Sequence, residues 1–156
     1  MTTSEDPIGA ELLRVIARIN RWATRQADVR IPPAQGRLLA QIDELGPARI
    51  GDLARADHCS QPTMTTQVQR LEERGWVTRV SDPADARAVL ISLTDAGREL
   101  LTDVRRERAA VLAPYVDGLA QEQRARLAEA VDTLNDVLEA APTAAETALA
   151  QKKENR

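Results

Sequence analysis

A short stretch of the chain, from Ser60 to Gly75, carries side chains whose types and spacing suit the recognition of nucleic acid. Met64, Val68 and Leu71 recur at spacings of four and three residues, which places them on one face of a predicted helix. Hydroxyl, amide and guanidinium groups lie on or beside the opposite face, and such groups bond to base edges and phosphates. The predicted DNA-contacting residues of this helix are Ser60, Gln61, Pro62, Thr63, Thr65, Thr66, Gln69 and Arg70.

The threonines of this helix need an explanation of their own. Threonine loses χ1 freedom inside a helix, and exposed helical positions more often carry Glu, Lys or Ala. Contact with DNA explains Thr63, Thr65 and Thr66, and tolerated surface polarity is the alternative. Ser60 is a capping residue, and the free N–H groups and positive dipole end of the helix that follows would also favour a phosphate.

A β-hairpin is predicted directly after this helix. Residues 76–80 and 88–93 have the composition of strands, and residues 81–87 between them hold Asp82-Pro83 followed by small and acidic residues, which is typical of a turn. The tip is therefore extended and ends in Arg87. A helix followed by a hairpin with a cationic tip is the layout of a winged helix-turn-helix, in which the helix enters the major groove of DNA and the tip lies near the minor groove.

The charged residues of the hairpin supply further candidates. An arginine at the tip can enter a narrow minor groove, where the negative potential is enhanced, and we predict this role for Arg87. Asp85 is placed to orient its guanidinium, and a local Asp–Arg pair of little energetic weight is the alternative. Arg79 on the first strand is expected either to contact the DNA backbone or to pair with Asp82 or Asp85.

Composition bounds the class of protein. The chain has 156 residues, enough for one domain with a sizeable core, and it contains no Phe, one Tyr and two Trp. The core must therefore be aliphatic, which suits helix packing better than a β-sandwich. The formal net charge of −3 argues against a nonspecific nucleic-acid coat protein. It does not argue against a specific DNA reader whose cations are concentrated on one surface.

Cysteine usage and hydropathy indicate a cytoplasmic protein with no membrane partner. Cys59 is the single cysteine, which excludes an intramolecular disulfide and fits a reducing compartment. No stretch resembles a signal peptide or approaches the roughly 20 apolar residues of a membrane span. Cys59 precedes a helix N-terminus, which can lower the pKa of a thiol, so a redox switch stays open beside a buried structural role. His58 with Cys59 falls far short of a zinc site, so no metal and no cofactor are predicted.

Long amphipathic helices are predicted on both sides of the central unit. We assign residues 8–30 to an N-terminal dimerisation helix, 31–93 to the winged helix-turn-helix domain, 94–140 to C-terminal dimerisation helices and 141–156 to a partly ordered tail. The predicted fold is thus mainly α with a small β-hairpin wing. The flanking helices carry more apolar surface than one domain can cover, and symmetric dimers are the commonest oligomers, so we expect a homodimer.

A stripe of arginines on the first predicted helix has two interpretations. Arg14, Arg18, Arg21 and Arg25 fall on one side of this helix, away from its apolar positions. Charged stripes of this kind are usually solvated surface. The alternative is a surface that faces an anion, either DNA phosphate or an acidic ligand.

Several segments, in this order and spacing, resemble the MarR family of bacterial transcription regulators. Residues 33–39 resemble the second-helix signature of the family, and residues 50–54 resemble its third helix. Residues 60–75 are similar to its recognition helix, residues 82–87 to its wing, and residues 93–97 to the helix start that follows.

The resemblance, which extends over residues 31–101, implies a homodimer whose first and last helices interlock. Two recognition helices then enter successive major grooves of a pseudo-palindromic site, with the wings in the flanking minor grooves. It also implies a repressor that is released by a small anionic or phenolic ligand bound between the dimerisation helices and the DNA-binding domain. The candidate ligand-lining residues are Arg14, Arg18 and Trp22. Many family members carry an arginine where Thr66 stands, which shifts base readout towards Arg70 and Gln61.

The sequence also bears on three alternative functions: an enzyme, a protein-binding winged helix and a DNA binder without a ligand. The chain shows no Gly-rich phosphate loop, nucleophile elbow or paired carboxylates, so we predict that it is not an enzyme. A winged helix that binds protein should expose aromatic or aliphatic anchors on the polar face of the helix at residues 60–75. Thr63, Thr66 and Arg70 on that face are neither. A constitutive DNA binder without a ligand stays open, because the sequence does not reveal how pockets are shaped.

Overall fold

A computed structural model describes residues 7–141 and shows a helical protein with one β-hairpin, which confirms the predicted fold class. The predicted tail at residues 141–156 lies outside these residues except for Ala141. The bounds in chain order are α1 Pro7–Gln26, α2 Pro33–Leu45, α3 Ile50–Ala56, α4 Gln61–Glu73, β1 Val77–Asp82, β2 Asp85–Leu93, α5 Asp95–Asp117 and α6 Gln121–Ala140.

Local sequence signals explain where α4 begins and ends. The Ser60 hydroxyl accepts a hydrogen bond from the Thr63 N–H at 3.3 Å, which satisfies one of the free donors of the first turn. Pro62 lies in that turn, where the missing N–H costs little. The chain leaves the helix through Gly75, whose φ of 73° is a conformation that glycine adopts at little steric cost.

The core is aliphatic and is formed by α2, α3, α4 and the hairpin together with Leu101 of α5. The apolar face of α4, predicted from the spacing of Met64, Val68 and Leu71, is fully buried. The largest fully buried side chains are Leu38, Leu39, Ile42, Leu53, Met64, Val68, Leu71 and Ile91. Burial of this apolar area supplies the driving force that holds the three short helices together.

The hairpin is longer and its tip is tighter than the sequence predicts. β1 and β2 pair in regular antiparallel register from Val77 opposite Leu93 to Ser81 opposite Val89, and the register then shifts so that Asp82 faces Asp85. The predicted seven-residue tip is therefore wrong. The reversal is short because the Asp82 side chain accepts the Ala84 N–H at 2.9 Å and so closes the turn locally.

The outer helices are covered only in part. α1 packs against α5, and the Trp22 and Tyr115 rings meet edge to face with centroids 5.3 Å apart. No residue of α6 is buried. Large apolar side chains exposed on these helices are Ile8, Leu13, Val15, Ile16, Ile19, Tyr115, Leu127, Val131, Val137 and Leu138. None of the helices between residues 7 and 141 has the length and apolar character needed to cross a membrane.

The start of α5 is joined to the base of the hairpin at a close contact. The Thr94 hydroxyl accepts the Gly97 N–H at 3.1 Å and donates to the Gly75 carbonyl at 2.6 Å, while the Thr94 N–H donates to the Trp76 carbonyl at 3.0 Å. A Cβ atom on Gly97 would overlap the Trp76 carbonyl oxygen and would lie 3.0 Å from its carbonyl carbon. The absence of a side chain at position 97 therefore allows the helix to approach the hairpin.

We expect Gly97→Ala to lower the free energy of unfolding by about 1–3 kcal/mol, because backbone must move to admit the methyl group. Urea denaturation followed by circular dichroism measures the change. Gly118→Ala is the matched control, since its Cβ would lie 3.4 Å from the Pro114 carbonyl oxygen and its φ is −76°. The control should change stability by less than about 0.5 kcal/mol. Equal effects of the two substitutions would contradict the close-approach explanation.

Candidate nucleic-acid interface

The outer face of α4 carries most of the predicted DNA-contacting residues in exposed positions. Because the opposite face is fixed in the core, the polar side chains can only point outward. Thr65 is half-buried at the edge of this face. The exposed members are Gln61, Pro62, Thr63, Thr66, Gln69 and Arg70, together with the capping residue Ser60.

The threonine hydroxyls of α4 are bonded within their own helix. Thr65 donates to the Gln61 carbonyl at 2.8 Å, and Thr66 donates to the Pro62 carbonyl at 3.1 Å. The Thr63 and Ser60 hydroxyls are hydrogen-bonded to each other at 2.8 Å. A hydroxyl that donates to its own backbone keeps its lone pairs, so Thr66 can still accept a bond from a base amino group or a solvent molecule. These bonds also hold the threonine side chains in fixed rotamers.

Acidic side chains are confined to the last turn of α4, and the first of them is neutralised. The Arg79 Nε lies 3.1 Å from each carboxylate oxygen of Glu72. Of the two alternatives for Arg79, pairing with Asp82 or Asp85 is therefore wrong, and contact with the DNA backbone stays a prediction. Arg79 lies opposite Ile91 near the base of the hairpin, within reach of the end of α4, whereas Asp82 lies at the tip. This ion pair joins α4 to β1. Of the two acidic residues of α4, only Glu73 then has no basic partner in the described chain.

Arg87 lies in β2 rather than at the hairpin tip. It falls in the irregular segment between Asp85 and Val89, where the register shifts. The Asp85 carboxylate accepts the backbone N–H of Arg87 at 3.1 Å, and its other oxygen lies 3.8 Å from the Arg49 Nη2 atom. The prediction that Asp85 orients the Arg87 guanidinium is therefore wrong: Asp85 shapes the backbone instead. In residues 7–141 no acidic side chain pairs with the Arg87 guanidinium, which is exposed.

Asp82 is paired with an arginine that the sequence did not single out. The Arg49 Nη2 atom lies 2.7 Å from its carboxylate, although the two residues are 33 positions apart. This hydrogen bond, with a second one from the Ala84 N–H, holds the pKa of the Asp82 carboxyl below its usual value. Both partners are therefore charged at neutral pH. No signal in the sequence distinguishes Arg49 from the other arginines.

A groove of about 500 Å³ runs beside α4, between its outer face and the start of α2. The Gln35 side-chain oxygen is buried and has no hydrogen-bond partner within the described chain. No residue of α2 was predicted to belong to the site. The groove is lined by Pro32, Ala34, Gln35, Thr63, Thr66, Gln67 and Arg70. The two prolines at positions 32 and 33 predict the start of α2. The sequence does not indicate that this helix start would lie beside α4.

The predicted ligand-lining residues share one side of α1 but differ in their surroundings. Arg14 is exposed and paired with Glu11, with 2.8 Å between Arg14 Nε and Glu11 Oε2, and this hydrogen bond lowers the pKa of Glu11. Arg18 is exposed and has no ion pair within residues 7–141. Trp22 is half-buried against Tyr115.

Cys59 is half-buried and packs against the core. Neighbouring His58 is exposed and has a positive φ of 50°, which the tight connection between α3 and α4 requires. Among the residues that the structure describes, no three His, Cys, Asp or Glu side chains are grouped as metal ligands.

Comparison with known proteins gives the family. The model of the MarR family matches residues 31–89. The uncharacterised helix-turn-helix regulator YsmB of Bacillus subtilis is 31% identical over 113 residues, which are 71% of this chain and 77% of that protein. The transcriptional repressor MdtR of the same organism is 28% identical over 110 residues, 66% of this chain and 71% of MdtR.

Solved structures agree with this assignment. The crystal structure of the transcriptional regulator Tm0710 from Thermotoga maritima superposes with a TM-score of 0.69 at 30% identity, over 86% of this chain and 96% of that one. Because these relatives are transcription regulators, the prediction of a non-enzymatic protein is confirmed. The chain belongs to the MarR family of helix-turn-helix transcriptional regulators.

Proposed function

We propose that this protein is a homodimeric repressor that binds a pseudo-palindromic DNA operator and is released by a small anionic or phenolic ligand. The outer face of α4 carries the proposal. Exposed hydroxyl, amide and guanidinium groups cover it, and its first turns hold no acid. Such a face suits the major groove, where each base pair presents its own pattern of donors and acceptors.

In this proposal the wing supplies the second contact with DNA. Arg87 is exposed and free of acidic partners in the described chain, so its charge is available to a phosphate or to a narrow minor groove. Arg70 is available in the same way, and Arg74 lies over the Trp76 ring at 5.0 Å from its centroid. The overall charge of −3 is compatible with this proposal, because DNA interacts mainly with the charges nearest to it, and Arg70 and Arg87 have no paired carboxylate in the described chain.

A second copy of the chain is the proposed partner of the outer helices. Large apolar side chains on α1 and α6 are 38–72% exposed in the single chain, and clusters of exposed apolar side chains mark interaction surfaces. α1, α5 and α6 are therefore the proposed dimerisation helices. A twofold dimer would present two α4 helices to two half-sites of one operator, which explains why the site should be pseudo-palindromic.

Repression and release complete the proposal. The relative MdtR is named a transcriptional repressor, which supports the same sign of regulation here. Arg18 is the favoured contact for an anionic ligand, because Arg14 is already paired with Glu11. Trp22 offers an aromatic surface between α1 and α5 on the same side of the helix.

Arg70→Ala and Arg87→Ala should each weaken operator binding by about 1–3 kcal/mol without unfolding the protein, because each removes one guanidinium from the DNA-facing surface. The DNA is a duplex selected from a randomised library by the wild-type protein, and affinity is measured by fluorescence anisotropy at two salt concentrations. Arg106→Ala, which removes an arginine paired with Asp103 on α5, is the matched control. If both variants bind as tightly as the control, α4 and the wing do not read the operator.

Val131→Asp should convert the dimer into a monomer and abolish tight operator binding, because a charge on α6 cannot be buried in an apolar interface. Sedimentation analysis measures the oligomeric state, and circular dichroism checks that the helices persist. Glu129→Ala changes an exposed polar residue of the same helix and should leave the dimer intact. A Val131→Asp variant that remains dimeric would remove α6 from the interface.

Aromatic carboxylates and phenols should release the protein from the selected duplex, since a cation and an aromatic ring are the groups that would hold them. Competition anisotropy with a panel of such compounds measures release. Arg18→Ala should then raise the concentration needed for release while leaving affinity for DNA unchanged without ligand. If no compound in the panel releases the DNA, the protein is better described as a constitutive binder.

A further inference from the structure

Arg49 is an unusual residue for its position at the start of α3. It is the N-cap of that helix, with φ −73° and ψ 150°, yet its side chain makes no capping hydrogen bond. Ser, Thr, Asp and Asn are preferred there because a short oxygen-bearing side chain satisfies a free N–H of the first turn. A residue that breaks a local preference in this way is expected where a longer-range role compensates.

The Arg49 side chain reaches across to the far end of the wing. Its Nη2 atom lies 2.7 Å from an Asp82 oxygen and 3.8 Å from an Asp85 oxygen. The preceding residue, Ala48, is fixed on the hairpin by two backbone bonds with Ile91, of 3.1 and 2.8 Å. The arginine therefore starts from a fixed backbone position near the base of the hairpin and reaches its tip.

Both carboxylates divide their oxygens between the turn and Arg49. Asp82 accepts the Ala84 N–H and Asp85 accepts the Arg87 N–H, each through Oδ1, while the Oδ2 atom of each faces the guanidinium. Although it belongs to the hairpin tip, Asp82 is only 13% exposed. The ion pair thus holds the same turn that sets the backbone of Arg87.

We propose that Arg49 is a positioning residue for the wing, which it holds at a fixed angle to α4 through Asp82 and Asp85, so that Arg87 meets DNA preorganised. The inference rests on the proposed function. A two-stranded hairpin is marginally stable alone, and the residues around this tip are largely exposed. A hairpin tied at its tip loses less conformational freedom on binding than a free one. Because the Arg49 side chain is half exposed to solvent, removal of the pair should change global stability little.

Two substitutions that break the pair while changing net charge in opposite directions test the proposal. Arg49→Gln removes a cation, whereas Asp82→Asn removes an anion and keeps an oxygen for the Ala84 N–H. Each should weaken binding of the library-selected duplex by roughly three- to tenfold, with little change in melting temperature. If Arg49 only contacted phosphate, Asp82→Asn would leave affinity unchanged or raise it, which would overturn the proposal. Arg49→Lys should restore part of the affinity, and Arg106→Gln is the control for an arginine paired elsewhere.

A double-mutant cycle separates positioning from direct contact. If Arg49 acts through the wing, Arg49→Gln should cost little further affinity when Arg87 is already alanine, because the side chain that it positions is absent. Effects that simply add would mean that Arg49 acts independently of Arg87 and would overturn the proposal.

Amide hydrogen exchange of the free protein tests, without DNA, whether Arg49 holds the wing in place. Arg49→Gln and Asp82→Asn should both accelerate exchange in residues 81–88, with the amides of α4 unchanged. Unchanged exchange in the wing would overturn the proposal even if affinity fell. If the wild-type protein selects no duplex from the library, the proposed function fails, and the exchange measurement still decides whether Arg49 holds the wing.

Discussion

The buried face of α4 is the constraint on which the outer face of the same helix, the proposed DNA-contacting surface, depends. Met64, Val68 and Leu71 are inaccessible to solvent, so the rotation of the helix about its axis is set by the core. A turn of the helix by one residue position would expose these side chains and bury polar ones, at a cost in both hydrophobic and hydrogen-bond terms. The polar face is therefore presented outward by packing, and the Ser60 cap fixes where that face begins.

Ion pairing then decides which arginines remain available. Glu72 forms an ion pair with Arg79, and Asp82 forms one with Arg49. These two cations near the proposed DNA-contacting surface therefore join the wing to the helices. Arg70 and Arg87 are left without acidic partners in the part of the chain that the structure describes. A net negative protein can thus present a local positive surface, since the interaction with DNA depends on charges within roughly one Debye length, about 8–10 Å.

Local signals were sufficient to predict the fold class, the cap of α4 and the outward face of that helix. The spacing of Met64, Val68 and Leu71 indicates which side of the helix is buried, and Ser60 marks the start of α4, where its hydroxyl accepts the Thr63 N–H. The partners of the charged side chains were not predictable in the same way. Arg49 meets Asp82 only because Ala48 pairs with Ile91, and that contact joins positions far apart in the chain. Several arginines compete for each carboxylate, and packing rather than spacing selects between them.

The junction at Gly97 links the hairpin, and with it the proposed DNA-contacting surface, to the outer helices. Trp76 lies immediately before β1, its carbonyl accepts the Thr94 N–H, and it lies against Gly97 in the first turn of α5, so the base of the wing and the start of that helix form one unit. α5 then runs beside α1 and is tied to α2 by the Arg105–Asp43 pair at 3.0 Å. Since packed helices shift as rigid bodies, a displacement of α5 would carry the wing with it. In the proposed dimer, the spacing of the two wings would therefore follow the packing of the outer helices, where the proposed ligand also binds.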